Sequence, residues 1–212
     1  MVNRRTVISW LKASAVAIFI SLAVGGVAHA DDAAFAGGAK TFVENLTGEA
    51  IRSLAVKDID KQERRDRFRK LMLDKFAFQG IAKWVLGRYW RRASNDEKAQ
   101  FLKLYEDLLV ITYADRFEQY AGEKIVVGKS EIRGGKDALV HSQLIRGEGV
   151  KAIDVTWRVR KKDDNFKIVD VMVEGLSMGL TQQKEFASVI RKNGGKVIGL
   201  IDELRKRLKS NT

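Results

Sequence analysis

The chain has 212 residues, with 39 Lys and Arg against 27 Asp and Glu, and a formal net charge of +12. It contains no cysteine, no proline and two histidines, His29 and His141. That composition excludes disulfides, cysteine nucleophiles and Cys or multi-His zinc sites, and limits imidazole chemistry in the body of the chain to His141.

The first 30 residues have the three parts of an export signal. Arg4, Arg5 and Lys12 form a positive start, Ala13 to Val27 is an apolar run, and Ala28-His29-Ala30 is an A-x-A cleavage site followed by Asp31-Asp32. The run is short for a membrane span of roughly 20 residues, and Gly25-Gly26 weaken it. Arg4-Arg5 with Val7-Ile8 also faintly resembles a twin-arginine signal. Residues 1–30 are therefore expected to be cleaved, leaving one domain over 31–212 that works outside the cytoplasm. The signal holds three basic and no acidic residues, so the remaining chain stays strongly basic. Outside the cytoplasm, such a charge suits anionic lipid headgroups or an acidic protein surface better than nucleic acid, unless it only keeps the protein soluble.

Helix signals fill the stretch from about Ala34 to Tyr120. Thr41 and Glu44 have capping-box spacing, with Phe42, Leu46, Ala50 and Leu54 on one face. Lys57 to Lys75 is highly charged, with Ile59, Phe68, Leu71 and Met72 as its apolar stripe. Phe78 to Trp90 carries Ile81, Val85 and Tyr89 on one face. Ser94-Asn95-Asp96-Glu97 is a helix start in which Ser94 caps and Glu97 reaches back. The helix it opens is expected to run to about Tyr120, with a stripe wide enough to be buried on more than one side, and to stop at Ala121-Gly122.

The period then switches to two. Lys124–Arg133, Lys136–Arg146, Val150–Arg160 and Phe166–Glu174 read as four strands, separated by Gly134-Gly135, Gly147-Glu148-Gly149 and Asp163-Asp164-Asn165. Such short gaps imply an antiparallel meander. In the third strand Ile153, Val155, Trp157 and Val159 face one way and Asp154, Thr156, Arg158 and Arg160 the other, so one face covers a core and one meets water. Asp170 is placed on a face with Ile168 and Met172. Two helices close the chain, about Thr181–Lys192 and Lys196–Lys209, broken at Asn193-Gly194-Gly195. The class is α+β: one four-stranded antiparallel sheet packed with helices from both ends of the chain.

The residues leave several chemistries open. Asp154, Asp170 and Glu174 lie on neighbouring strands, and Asp170 or Glu174 could serve as the base of an exported enzyme. Gly147-x-Gly149 is a turn, not a phosphate cradle. Arg88-Tyr89-Trp90-Arg91-Arg92 suits a membrane interface or anionic headgroup, or simply complements a helix dipole. Trp84, Tyr89, Trp90, Tyr105, Tyr113, Tyr120 and Trp157 either fill a tight core or line a cavity between sheet and helices.

Ile81-Ala82-Lys83-Trp84-Val85-Leu86-Gly87-Arg88-Tyr89-Trp90, then Ser94-Asn95-Asp96-Glu97 with Phe101, and the close Tyr120-Ala121-Gly122 follow one family's pattern in order and spacing. So does Val169-Asp170-Val171-Met172-Val173-Glu174-Gly175-Leu176-Ser177-Met178, which carries a D-x-x-x-E-G-x-S segment ahead of a Glu185-Phe186 helix. Over residues 35–209 the chain resembles the MlaC family of periplasmic phospholipid-binding proteins, also called toluene-tolerance auxiliary components; a hopanoid-associated branch is compatible with the same motifs. The resemblance implies a curved sheet and helices enclosing an apolar lipid cavity, no enzymatic activity and no cofactor. It also implies a phospholipid ligand, and exchange partners in an outer-membrane lipoprotein complex and an inner-membrane ABC transporter with an MCE-domain subunit. Through it, Leu176 and Ser177 match the turn at the pocket, and Ile153, Val155 and Trp157 its pocket-facing strand. Met172 joins them from the late segment, and Val85, Tyr105, Leu109 and Tyr113 from helical faces. The basic stretch with Arg64, Arg65, Arg67 and Arg69 departs from the family's best-known members, and either docks a partner or is solvated.

Overall fold

The computed structural model describes residues 26–162 and 165–210. The expected signal, 1–30, falls for the most part outside them. The element order is helices α1 (Gly26–Leu54), α2 (Lys61–Lys75), α3 (Phe78–Leu86) and α4 (Asn95–Ala114), with 3₁₀ turns at Gly87–Arg91 and Asp115–Gln119. Strands β1 (Lys124–Arg133), β2 (Asp137–Ile145), β3 (Ile153–Lys162), β4 (Asn165–Val173) and β5 (Leu176–Ser177) follow, then helices α5 (Met178–Lys192) and α6 (Val197–Ser210). The strands form one antiparallel sheet in chain order. Among the described residues, no helix is long and apolar enough to cross a membrane.

Local chemistry sets several of these boundaries. The Asp60 carboxylate caps α2 by accepting from the Glu63 amide at 2.7 Å. At α4 the capping box forms in full: Ser94 Oγ accepts from the Glu97 amide at 3.1 Å, and Glu97 accepts from the Ser94 amide at 2.8 Å. The capping signal at Thr41 is not used. α1 continues through it, because Ala39, Val43 and Leu46 form a helical stripe buried against the sheet. The long helix also ends early, tightening into a 3₁₀ turn at Asp115, where the Asp115 carboxylate binds Arg65.

Two sequence expectations on the sheet change. A fifth, two-residue strand adds to β4, pairing Val173 with Leu176 and Met172 with Ser177. Glu174 and Gly175 make the turn, both with positive φ (49° and 77°), as a tight two-residue hairpin of this twist requires. Ile168 does not share a face with Asp170. A register shift between Arg158 and Val159 pairs Ile168 with Val159 and Asp170 with Arg158, which sends Ile168 into the core and turns Asp170 to the other face.

The apolar interior forms two clusters. One is helical and built by α3, α4, α5 and α6 around Phe101, Phe186, Leu200, Ile201 and Leu204. The other packs α1 on the sheet through Ala39, Val43, Ala138, Val140, Val159 and Ile168. Phe68 and Phe76 touch both.

Candidate lipid-facing site

One face of the sheet is mostly apolar, with Ser130 and Ser142 set into it. The register aligns Ala138 with Val159, Val140 with Trp157 and Leu144 with Ile153, and then Trp157 with Val171 and Val155 with Val173. This face is finished differently at its two ends. Ala138, Val140 and Val159 are fully buried under α1, whereas Leu144, Ile153, Val155, Trp157, Val171 and Val173 are half-buried. Beyond them Leu176 is 68% exposed. The exposed end thus continues the core as an apolar wall.

Trp157 is fixed on that wall. Its indole Nε1 donates to Ser142 Oγ at 2.9 Å, and the Ser142 hydroxyl donates to the Val155 carbonyl at 3.0 Å. The indole N–H is thereby satisfied without water, and the ring presents only carbon to the wall. Across from the sheet cluster, the second half of α4 is less closed than the first. Phe101 and Tyr105 are buried, while Leu108, Leu109 and Tyr113 are half-buried, as is Phe117 in the following turn. Phe117 meets Phe68 with ring centroids 6.4 Å apart, where the two clusters join.

The expected site residues divide accordingly. Ile153, Val155 and Trp157 share the apolar wall, and Leu109 and Tyr113 lie on the half-buried part of α4. Val85 and Tyr105 are in the helical cluster: Tyr105 is 3% exposed and stacks on Phe101 with centroids 5.6 Å apart. Burial pushes its phenol pKa up, and neighbouring Tyr113 and Asp170 push it further the same way, so the hydroxyl stays neutral. Met172 is on the opposite sheet face, paired with Thr156 and Ser177. Leu176 stands at the open end of the wall. Sequence reasoning missed Leu144, Val171 and Val173 as wall residues; alternation in β2 and β4 is the signal that points to them.

Ser177 and Asp170 build the turn beside the wall. Ser177 Oγ donates to Asp170 Oδ2 at 2.6 Å and accepts from the Leu180 amide at 3.0 Å, which caps α5. Asp170 Oδ1 accepts from the amides of Val171 (2.9 Å) and Gly179 (3.1 Å). The carboxylate is buried and ties the end of β4 to the first turn of α5. Glu174 is tied to β3 through the Asp154 amide at 2.8 Å.

The arginines of α2 are engaged within the chain rather than simply solvated. Arg64, 4% exposed, donates to the carbonyls of Leu54 (3.0 Å) and Val56 (2.9 Å) and closes the end of α1. Arg65 grips Asp115 with both nitrogens, at 3.1 and 2.9 Å. Arg67 reaches the Ser53 carbonyl at 3.0 Å, and Arg69 binds Glu106 and Asp107 on α4. A groove of about 440 Å³ along the outer side of α2 is lined by Asp60, Gln62, Glu63, Asp66, Arg67 and Lys70. Its charged walls do not suit acyl chains.

The α+β fold with an apolar wall joined to a sealed helical core defines a sheet-and-helix class of domain. A model of the MlaC protein family matches residues 44–206, and the chain belongs to that family. It is 26% identical over 113 residues to the Haemophilus influenzae intermembrane phospholipid transport system binding protein MlaC, covering 52% of this chain and 53% of the relative. It is 23% identical over 124 residues to the Pseudomonas putida toluene tolerance protein ttg2D, covering 58% of this chain and 57% of the relative. The chain thus spans a little over half the length of these curated relatives. A solved structure of a phospholipid-binding protein from Ralstonia solanacearum, in complex with a phospholipid, has the same fold. Its TM-score is 0.72 at 21% identity, over 82% of this chain and 98% of that one.

Proposed function

We propose that this protein is a periplasmic phospholipid carrier that holds acyl chains against the apolar wall of its sheet. The observation that carries this reading is the sheet face that starts as sealed core at Val140 and Val159 and ends half-open at Val155, Val173 and Leu176. Family membership and the phospholipid-bound structural neighbour support it. Each methylene moved from water to such a surface contributes about 0.8 kcal/mol. A bound tail therefore leaves for water very slowly, and unloading requires a partner that opens the wall. In this reading the partners are an outer-membrane lipoprotein complex and an inner-membrane ABC transporter with an MCE-domain subunit, and lipid exchange between them keeps the outer membrane asymmetric. Cleavage after Ala30 frees the carrier from the inner membrane.

The carrier needs no catalytic base. Asp170 and Glu174, the candidates for one, are engaged with Ser177 and backbone amides, which suits a structural role for both. Native mass spectrometry of residues 31–212 purified from a lipid-replete Gram-negative host is expected to show a phospholipid-bound species. Apo protein alone would overturn the reading.

A further inference from the structure

Exposed large apolar residues gather where α3 meets the start of α5. Leu176 is 68% exposed, Leu180 41%, Met178 39% and Trp84 37%. Leu176, Met178 and Leu180 lie within five residues of chain, and Trp84 packs at the residue between the last two. The Trp84 ring packs on Gly179, where an added Cβ would fall 2.0 Å from it, so only glycine admits the indole there. Gln183 Nε2 donates to the Trp84 carbonyl at 2.5 Å and locks the two helices together.

Exposed cations lie on the same two helices and the turn after α3. Arg88 lies one turn beyond Trp84, with its guanidinium 5.1 Å from the Tyr89 ring, and Arg191 faces the same tyrosine. Lys83 adjoins Trp84, and Lys184 lies one turn beyond Leu180 on α5. All four are exposed, and among the described residues none forms an ion pair with an acidic side chain. The acids of these segments are already engaged: Glu174 lies 3.6 Å from Lys151, and Glu185 lies 2.5 Å from Arg207.

We infer that the patch formed by Trp84, Leu176, Met178 and Leu180 seats on an anionic phospholipid bilayer, with Lys83, Arg88, Lys184 and Arg191 on the headgroups. Exposed apolar side chains with unpaired cations beside them are what segments lying in a membrane interface present. Each cation near an anionic surface contributes about 1 kcal/mol, and the attraction falls off within a Debye length. A stable protein interface covers about 800 Å² on each partner, more than four side chains supply, so a bilayer suits the patch better than an acidic protein. This surface goes beyond the carrier reading: it concerns where the protein rests on a membrane, not what it holds.

The test is sedimentation of residues 31–212 with vesicles of phosphatidylcholine, with or without phosphatidylglycerol, at low and high salt. Binding is expected to the anionic vesicles only and to weaken with salt. Leu180→Asp and Lys184→Glu are each expected to weaken it about tenfold, with helix content unchanged by circular dichroism. Equal binding to both vesicle types, parental binding by both variants, or capture by an acidic protein but not by vesicles would overturn the inference. Co-purified lipid is measured on the same samples. Lipid-loaded protein that ignores vesicles defeats the patch and leaves the carrier standing, whereas vesicle-bound protein that never holds lipid does the reverse.

Discussion

The helical cluster around Phe101 and Phe186 has a fully buried centre, whereas the sheet cluster is closed by α1 at one end and left half-open at the other. The residues used are alike: valine, isoleucine, leucine and aromatics in both. What differs is the number of layers. Helices α3 to α6 wrap one another, so Phe101, Phe186, Leu200, Ile201 and Leu204 are buried from several sides. The sheet offers a long flat face, and α1 packs mainly on β1 and β2. The sheet side leaves part of its apolar surface half-exposed.

The largest expected effect separates the two regions by stability. Phe186 meets Phe101 and Tyr105 edge-on, at 5.9 and 5.6 Å between centroids, with no exposed surface. Phe186→Ala is expected to cost about 3–5 kcal/mol, because the cavity cannot collapse within a ring of helices. Urea denaturation followed by circular dichroism measures it. A loss below about 1 kcal/mol would mean that the helical cluster is not the rigid half.

The next effect concerns the joint between them. Arg64 satisfies the carbonyls of Leu54 and Val56 at the end of α1, and Arg64→Ala leaves both without that donor. The expected cost is about 2–3 kcal/mol, since hydrogen bonds from a charged donor exceed neutral ones. Arg64→Lys is expected to recover only part of it, because an ammonium lacks the guanidinium fork. Unfolding midpoints of the two variants check the order.

The fold was legible in the sequence where local rules act alone, and illegible where tertiary contact overrides them. Ser94 and Glu97 form their capping box, and β1 spans Lys124–Arg133 as alternation predicts. Thr41 and Glu44 have capping-box spacing too, yet α1 runs through them because the buried stripe of Ala39 and Val43 matters more than one cap. β5 was hidden because a two-residue strand has no period, and only the Glu174-Gly175 turn announces it. The face of Ile168 was misplaced because a bulge leaves no mark in an alternating sequence. Within the candidate site, the third strand declared its apolar face outright. The inward role of the α2 arginines was not readable, since a charge run looks the same whether its partners are solvent or distant carboxylates.

The polar face of the sheet predicts a response to acid. Asp137, 3% exposed at its side chain, is clamped by Arg160 (2.6 and 2.9 Å) and Arg158 (2.7 Å). Burial pushes its carboxyl up, but the bonds from Arg160 and Arg158 outweigh burial and hold it below the usual carboxylate range. A group depressed in the folded state contributes stability above its unfolded pKa of about 3.9, and that contribution is lost as pH falls through the lower folded value. The protein is therefore expected to lose stability as pH drops below about 4. Asp137→Asn is expected to be less stable at neutral pH and to show a shallower acid slope. A slope equal to the parent's would remove Asp137 from the account.

The smallest stability effect bears most directly on the open end of the sheet. Val155 pairs with Ser142 and Val173 on the apolar face and is half-buried. Val155→Ala removes two methyl-sized groups from a surface already partly exposed, so about 1 kcal/mol or less is expected from stability measurements. If lipid tails lie on this wall, the same substitution loosens their contact, and Val155→Asp places a charge where methylenes should rest. Lipid content by mass spectrometry is then expected to fall modestly in Val155→Ala and nearly to vanish in Val155→Asp, with the helical core intact by circular dichroism. Phe186→Ala gives the opposite pattern, with low stability and lipid still present in the molecules that stay folded. A Val155→Asp protein that remains folded and fully loaded would show that the open end of the sheet is not where the tails lie.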